Sequence, residues 1–368
     1  MIYKVPFVNF PEHYKRIKDE IDFAIKEVLL GGDYILRKHL KEFEENFAKF
    51  LGVKYAIGVG SGTDALYLSL KAAGINQGDE VITVAHTFVA TIASIIHCGA
   101  KPILVDIGED YNMDVEKVEE VITNKTKAII PVHLNGRLCD MKRLMEIASK
   151  YNLIIIEDAA QALGASLDGV KAGTFGLTGC FSFYPAKILG GLGDGGMVVT
   201  NNKDVAEKIL LLRDHGQKRE IGEILCYGFN SRLDNLQAAV LNVKLKYVPK
   251  WIERRREIAK LYHQALSNIT KLKLPPPPMN GRFYDVYQNY VIRAKRRDEL
   301  VKHLMREGIE VLISWPKPLH KHEALGLSNF HLPMTEQISK EVVSLPIYPE
   351  LSNNDVNFVI QAIQTFYK

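Results

Sequence analysis

From Lys54 to about Asp158 the chain alternates short apolar runs with segments of helical period. "YAIGV" precedes "TDALYLSLKAA", "EVITV" precedes "TFVATIASIIHCG", and "KPILVDI" precedes "MDVEKVEEVI". "KAIIPVHL" precedes "MKRLMEIASKY", and "NLIIIED" closes the series. Strands that are apolar along their whole length are buried on both faces, the habit of parallel strands under crossover helices. Right-handed crossovers then give a doubly wound α/β sheet.

With 368 residues the chain exceeds the size at which a single core keeps growing, so two domains are expected. "CFSFYP" and "GMVVT" read as further strands, and "VAEKILLLRDHG" and "LDNLQAAVLNVKL" as helices. "WIERRREIAKLYHQALSNI" reads as a long amphipathic helix. Pro275 to Pro278 cannot continue a helix and mark a stiff break. After them "YDVYQNYVIRA" reads as a strand, and "RDELVKHLMREG" and "VNFVIQAIQTFY" as helices. The boundary falls near Val248. Residues 1–247 are expected to form a large α/β domain with an N-terminal helical segment, and residues 248–368 a smaller α+β domain.

Charge narrows the class. Lys plus Arg number 47 against 43 Asp plus Glu, a net charge of +4 with no long basic run, which disfavours a nucleic-acid partner. No apolar run approaches the ~18 residues of a membrane span, and the opening residues have no signal-peptide h-region. A cytoplasmic protein without a membrane partner is expected. Cys98, Cys139, Cys180 and Cys226 lack zinc or redox spacing and read as buried free thiols. The histidines have no metal-ligand spacing, so no metal is expected.

Three stretches carry chemistry. "YAIGVGSGTDALYLSL" is strand, glycine turn, helix, with Gly60, Ser61, Gly62 and Thr63 at the helix start. Free N–H groups and the helix dipole there suit an anion, although a plain turn capped by Ser61 or Thr63 has the same shape. "NLIIIEDAAQALGA" ends a buried strand in Glu157 and Asp158, where α/β sheets bind ligands and where an Asp can also simply cap a helix. "FSFYPAKILGGLGDGGMVVTNN" sets Lys187 beside Gly191, Gly193 and Gly196, a literal G-x-G-x-x-G. A dinucleotide loop opens a helix, whereas "MVVTNN" is a strand, so these glycines are expected to let backbone pass close to something bulky beside Lys187. A phosphate cup, a strand-end acid and a lysine in a glycine-supported turn are the set that a pyridoxal-phosphate enzyme needs.

The chain resembles the DegT/DnrJ/EryC1/StrS family of pyridoxal-phosphate-dependent sugar aminotransferases nearly end to end. "VPFVNF", "GSGTDAL", "HTFVAT", "PVHLNGR", "IEDAAQALGA", "FSFYPAK", "GDGG" and "NSRLDNLQAA" follow in family order, then "PLH" and "LPIYPEL". The resemblance implies the type I transferase fold, with a mainly parallel sheet of the seven-stranded type. It implies that Lys187 carries the cofactor as a Schiff base and shuttles the proton, and that Asp158 pairs with the ring nitrogen. Gln161 would bond near the ring hydroxyl, and Phe88 would stack on the ring. Gly62, Thr63 and Ser182 would hold the phosphate, with Asn230 reaching it from the neighbouring subunit of a homodimer. The implied reaction is ping-pong, from glutamate or a similar donor through pyridoxamine phosphate to a nucleotide-diphosphate keto-sugar. Arg232, Lys317 and His320 are the candidates for that substrate's phosphates.

Asn135 in "HLNG" stands where the family commonly has a tyrosine, and Trp315 in "WPKPLH" where it commonly has a tyrosine or similar residue, so no particular sugar carries over. Three rivals stand beside this reading. They are a sugar dehydratase, whose branch replaces the lysine with histidine, a non-catalytic sensory relative, and the same chemistry on a cyclitol ketone.

Overall fold

The computed structural model describes residues 3–219, 221–279 and 281–368. Three helices open it: α1 (Phe10–Arg16), α2 (Lys18–Gly31) and α3 (Lys38–Leu51). The alternation read from the sequence follows: β1 (Tyr55–Val59), α4 (Gly62–Ala72), β2 (Glu80–Val84), α5 (Val89–His97), β3 (Lys101–Val105), β4 (Thr126–Ile129), α6 (Met141–Tyr151) and β5 (Ile154–Asp158). The short strands β6 (Ser166–Leu167) and β7 (Val170–Lys171) form a hairpin, and then come β8 (Thr178–Ser182), β9 (Gly196–Thr200) and α7 (Lys203–Arg213). A second hairpin, β10 (Gln217–Lys218) and β11 (Glu223–Ile224), precedes α8 (Asn235–Leu245) and α9 (Val248–Leu266). The chain ends with β12 (Leu272–Lys273), β13 (Phe283–Tyr284), β14 (Tyr290–Ala294), α10 (Arg297–Arg306), α11 (Pro333–Glu341), β15 (Val342–Leu345) and α12 (Asn353–Tyr367).

The main sheet has seven strands in the order β1-β9-β8-β5-β4-β2-β3. It is parallel from β3 to β8, and β9 runs antiparallel to both of its neighbours. Its strands are buried nearly throughout, as their unbroken apolar runs require. Helix α3 buries Leu40, Phe43, Phe47, Ala48 and Leu51 on one stripe. Phe47 meets Phe181 edge-on at 5.3 Å, and Phe43 meets Phe183 at 5.4 Å. Each such contact contributes about 0.5–1.5 kcal/mol beyond area burial. Together they back the strand that leads to Lys187.

The second, antiparallel sheet has the order β12-β14-β15 and carries its own apolar cluster with α9, α10 and α12. Helix α9 belongs to both clusters. Val248, Trp251 and Ile252 pack into the first, and Ile258, Ala259, Tyr262 and Leu266 into the second. Val5 also packs in the second cluster and pairs with Ile309.

Three expectations are corrected. "MDVEKVEEVI" forms two 3-10 turns, Val115–Lys117 and Glu119–Val121, instead of an α-helix. Its valines at 115, 118 and 121 recur every third residue, the 3-10 period, and β-branched side chains crowd an α-helix. "YDVYQNYVIRA" is not one strand. It gives β13 to the hairpin β6–β7, crosses 285–289 without strand pairing, and re-enters the second sheet as β14. Cys98, Cys139 and Cys180 are buried free thiols, but Cys226 is exposed beyond the β10–β11 hairpin.

Candidate active site

The glycine turn after β1 feeds α4. Ser61 caps the helix, its Oγ accepting from the Asp64 N–H at 3.1 Å. The N–H groups of Gly62 and Thr63 meet no acceptor among the described residues, so two free donors sit at the positive end of the helix dipole. Ser182 at the end of β8 faces them, for a Cβ added at Gly62 would lie 2.7 Å from the Ser182 Cβ. Ser231 braces the turn from behind, accepting from Gly60 N–H at 3.1 Å and donating to Asp64 at 2.9 Å. Asn230, one residue earlier, is exposed and bridges to Asp214.

Asp158 ends β5 and is buried. Its Oδ2 accepts from Thr91 Oγ1 at 2.8 Å, and Thr91 in turn pairs with Thr87. Burial pushes the Asp158 carboxyl above its ordinary pKa, with the Thr91 hydrogen bond and the Lys187 charge acting against that. Glu157, its neighbour, is structural. It accepts from the N–H groups of Gly173, Phe175 and Gly176 and from His133 Nε2 at 2.9 Å. Because Cys139 N–H donates to His133 Nδ1, the imidazole proton lies on Nε2, facing Glu157.

Lys187 lies in the turn between β8 and β9. Its side chain is half-buried as a whole, but the ammonium end is enclosed, and burial lowers its pKa while the Asp158 charge raises it. The glycines serve backbone contacts. A Cβ at Gly190 would lie 2.1 Å from the Pro185 carbonyl oxygen, and one at Gly196 would lie 2.3 Å from that of Ser61. What passes close is the chain itself, and Gly196 joins the lysine turn to the anion cup.

Gln161 accepts from Asn135 N–H at 2.8 Å. Its carbonyl oxygen is therefore committed and its NH2 group is the free donor. Asn135 holds a left-handed backbone, φ 58°. Phe88, the cap of α5, is 61% exposed, so its ring is not core. On the substrate side the candidates scatter. Arg232 donates to Asp214 at 2.9 Å, and Asp214, shared with Arg219, is held down to about 2. Lys317 is exposed. His320 is fully enclosed, its Nε2 3.2 Å from Glu336, and offers no exposed atom. Trp315 lies against His86, ring centroids 5.5 Å apart.

Thr91, His133, Gln237, Lys244 and Gln288 were not singled out in the sequence. Thr91, His133 and Gln237 lie within "HTFVAT", "PVHLNGR" and "NSRLDNLQAA", stretches that carry the resemblance, whereas Lys244 and Gln288 lie in none of them. An open hollow of about 780 Å³ lined by Met145, Lys150, Val170 and Phe175 shares no residue with this group. Two free helix-start amides and a hydroxyl suit a phosphate, and an enclosed lysine beside a buried carboxylate suits an aldehyde on a basic ring. The donor set fits pyridoxal phosphate.

A model of the DegT/DnrJ/EryC1/StrS aminotransferase family matches residues 15–364. The chain is 42% identical over 369 residues to a Geobacillus stearothermophilus protein named pleiotropic regulatory protein, covering 99% of each. It is 43% identical over 364 residues to the dTDP-3-amino-3,6-dideoxy-alpha-D-galactopyranose transaminase of Aneurinibacillus thermoaerophilus, covering 98% of this chain and 99% of that one. The crystal structure of S. venezuelae DesV in complex with a ketimine intermediate superposes with a TM-score of 0.96 at 38% identity, covering 100% of this chain and 99% of that one.

Proposed function

This chain belongs to the DegT/DnrJ/EryC1/StrS aminotransferase family, and we propose that it moves an amino group from glutamate, or a similar amino acid, to a nucleotide-diphosphate keto-sugar. The enzyme is pyridoxal-phosphate dependent. The observation that carries the reading is Lys187, held half-buried in the turn after β8, its pKa lowered by burial although the Asp158 charge raises it. Relatives named for dTDP-sugar and UDP-sugar substrates support the nucleotide-sugar acceptor.

When bound, the cofactor supplies a carbonyl that links to amines and a ring that takes up electrons. The chain's residues do the rest. The amides of Gly62 and Thr63 and the Ser182 hydroxyl take the phosphate, with Asn230 of a second copy. Asp158 keeps a proton on the ring nitrogen, Gln161 offers its NH2 group to the ring hydroxyl, and Phe88 offers a face for stacking. Lys187 Nζ, which sheds its own proton more readily than a solvated lysine, takes the proton from the donor's α-carbon. In the second half it delivers one to the acceptor carbon that becomes amine-bearing. One group acting in both directions is general acid–base catalysis. Arg232 and Lys317 serve the acceptor's phosphates, and His320 supports the loop that carries Lys317.

The regulatory name of the Geobacillus relative favours a second reading, a ligand sensor without turnover. That role requires neither Lys187 nor Asp158, and both are present. We also propose a homodimer, supported by the exposed apolar side chains Phe23, Leu30, Ile224 and Tyr227. Among the described residues no helix is long and apolar enough to cross a membrane, and a cytoplasmic location is part of the proposal. So is the division into 1–247 and 248–368. The test is the visible spectrum of the purified protein with pyridoxal phosphate. The proposal expects a band that glutamate bleaches and that Lys187→Ala does not form, followed by turnover with a nucleotide keto-sugar. A protein without that band is not this enzyme, and turnover only with cyclitol ketones would move the acceptor class.

A further inference from the structure

Residues 285–289 cross from the small β13-β6-β7 sheet to the second sheet without strand pairing, yet they are firmly held. Arg255 on α9 is buried and donates through Nη1 to the carbonyls of Tyr287 and Gln288 at 3.2 Å and of Ile347 at 2.8 Å. Arg256 donates to the Asp285 carbonyl at 2.8 Å. Tyr287 sits in the left-handed region, φ 49°, which is costly for a bulky residue and persists where the surroundings demand it.

This strap touches the site at two points. Val286 N–H donates to Gly136 O at 2.9 Å, and a Cβ at Gly136 would lie 2.8 Å from the amide nitrogens of Tyr287 and Gln288. Gly136 follows Asn135, whose N–H holds Gln161. The buried Gln288 side chain spans the lysine itself. Its Oε1 accepts from Ile188 N–H and its Nε2 donates to the Ala186 carbonyl, both at 2.9 Å. The two partners fix the amide's orientation. The turn is held further along as well, Lys244 donating to Gly190 O at 2.7 Å and Gln237 accepting from Leu192 N–H at 2.8 Å. Among the described residues only Gln288 brackets residue 187.

We propose that Gln288 is a positioning residue for Lys187, clamping the peptide groups on either side of it and tying their position to the second sheet. The proposal rests on Lys187 being the catalytic lysine. A side chain held only at its tip by the cofactor would let Nζ wander from the carbon whose proton it takes. Fixing both adjoining peptides removes that freedom. The clamp needs one donor and one acceptor at fixed spacing, which an amide provides and a carboxylate or thioether does not.

The test compares the full-length protein with Gln288→Met and Gln288→Glu. The rate of the glutamate half-reaction is measured at saturation, together with the glutamate concentration giving half that rate. Acetylation of Lys187 by acetic anhydride is followed against pH by mass spectrometry before cofactor is added. Gln288→Met should slow the half-reaction about 10- to 100-fold, the usual effect of a misplacement near 1 Å. Half-saturation should stay within about 3-fold, because donor binding is not what was removed. The acetylation midpoint should rise towards that of an ordinary lysine as the loosened turn admits water. Gln288→Glu, which keeps the acceptor for Ile188, should regain rate as pH falls and the protonated acid supplies a donor to Ala186. An unchanged rate and midpoint in either folded variant would overturn the proposal. Wild-type protein that shows neither a glutamate half-reaction nor an acetylation midpoint below the ordinary lysine range overturns the catalytic assignment of Lys187, and this inference with it.

Discussion

Gly62→Ala tests whether the cup between α4 and β8 is the phosphate site. The added Cβ would lie 2.7 Å from Ser182 Cβ and 3.2 Å from Ser182 Cα, where real Cβ atoms essentially never come within 3.0 Å. Gly62 is not in the left-handed region, so the penalty is contact alone. Relief requires the start of α4 to move off β8, and overpacking of this kind costs about 1–3 kcal/mol. At roughly 2.1 cal/mol/K per residue, the cofactor-free Tm falls by about 1–4 °C. The same displacement parts the Gly62 and Thr63 amides from the Ser182 hydroxyl, so the Kd for pyridoxal phosphate rises about 10- to 150-fold, the loss of one hydrogen bond to a charged group at about 1.5–3 kcal/mol. Adding Ser182→Gly removes the clashing Cβ together with the hydroxyl. The Tm then recovers, less about 0.5–1 kcal/mol for glycine in a strand, while affinity does not. Differential scanning calorimetry and an absorbance titration read the two quantities separately. A Kd within about 2-fold of wild type, or affinity restored by Ser182→Gly, would refute the assignment of the cup.

Asp158→Asn should slow the glutamate half-reaction by about two orders of magnitude, as loss of an oriented charge does, yet raise the cofactor-free Tm near pH 8. The folded carboxyl has a raised pKa. As pH climbs, the unfolded chain releases its proton first, so folded stability is lost from the ordinary carboxylate range upward through the raised pKa, and the amide escapes that cost. Lys244 has the opposite dependence. Burial lowers it from 10.5 to about 8. The unfolded chain therefore holds the extra proton between those values, and stability rises with pH across them by roughly 3 kcal/mol. Denaturant unfolding from pH 7 to 11 should show that rise in wild type relative to Lys244→Met, and parallel curves would refute it. Arg232→Ala should leave the glutamate half-reaction intact and raise the acceptor KM about 10-fold, the effect of losing one charged hydrogen bond. Arg219 still holds Asp214, so the fold survives, and an unchanged acceptor KM would remove Arg232 from the substrate site.

The main sheet was legible because strands buried on both faces cannot hide their apolar runs, and Asp158 and Lys187 were legible because each interrupts or follows such a run. The strap was not. "YDVYQNYVIRA" is rich in the aromatic and β-branched residues that favour strands, and no glycine or proline marks the break at 285–289. What ends the strand is tertiary: two arginines from α9 and the left-handed turn at Tyr287. Likewise the glycines near Lys187 announced a close approach but not its partner, because Ser61 meets Gly196 only once the sheet is assembled. His320 and Lys317 are adjacent in motif yet opposite in exposure, a difference set by Glu336 on α11.

Helix α9 runs through both apolar clusters as one continuous element of 19 residues. A helix of that length is a beam about 28 Å long, and a beam embedded at both ends does not act as a hinge pin. Any movement of the two clusters relative to one another must therefore come from shear along the packed faces or from loops that bypass α9. The arginines that brace the strap, Arg255 and Arg256, sit between its two embedded ends, so the strap hangs on the same beam. Through Gln288 the turn that carries Lys187 is tied to that beam and is carried with it.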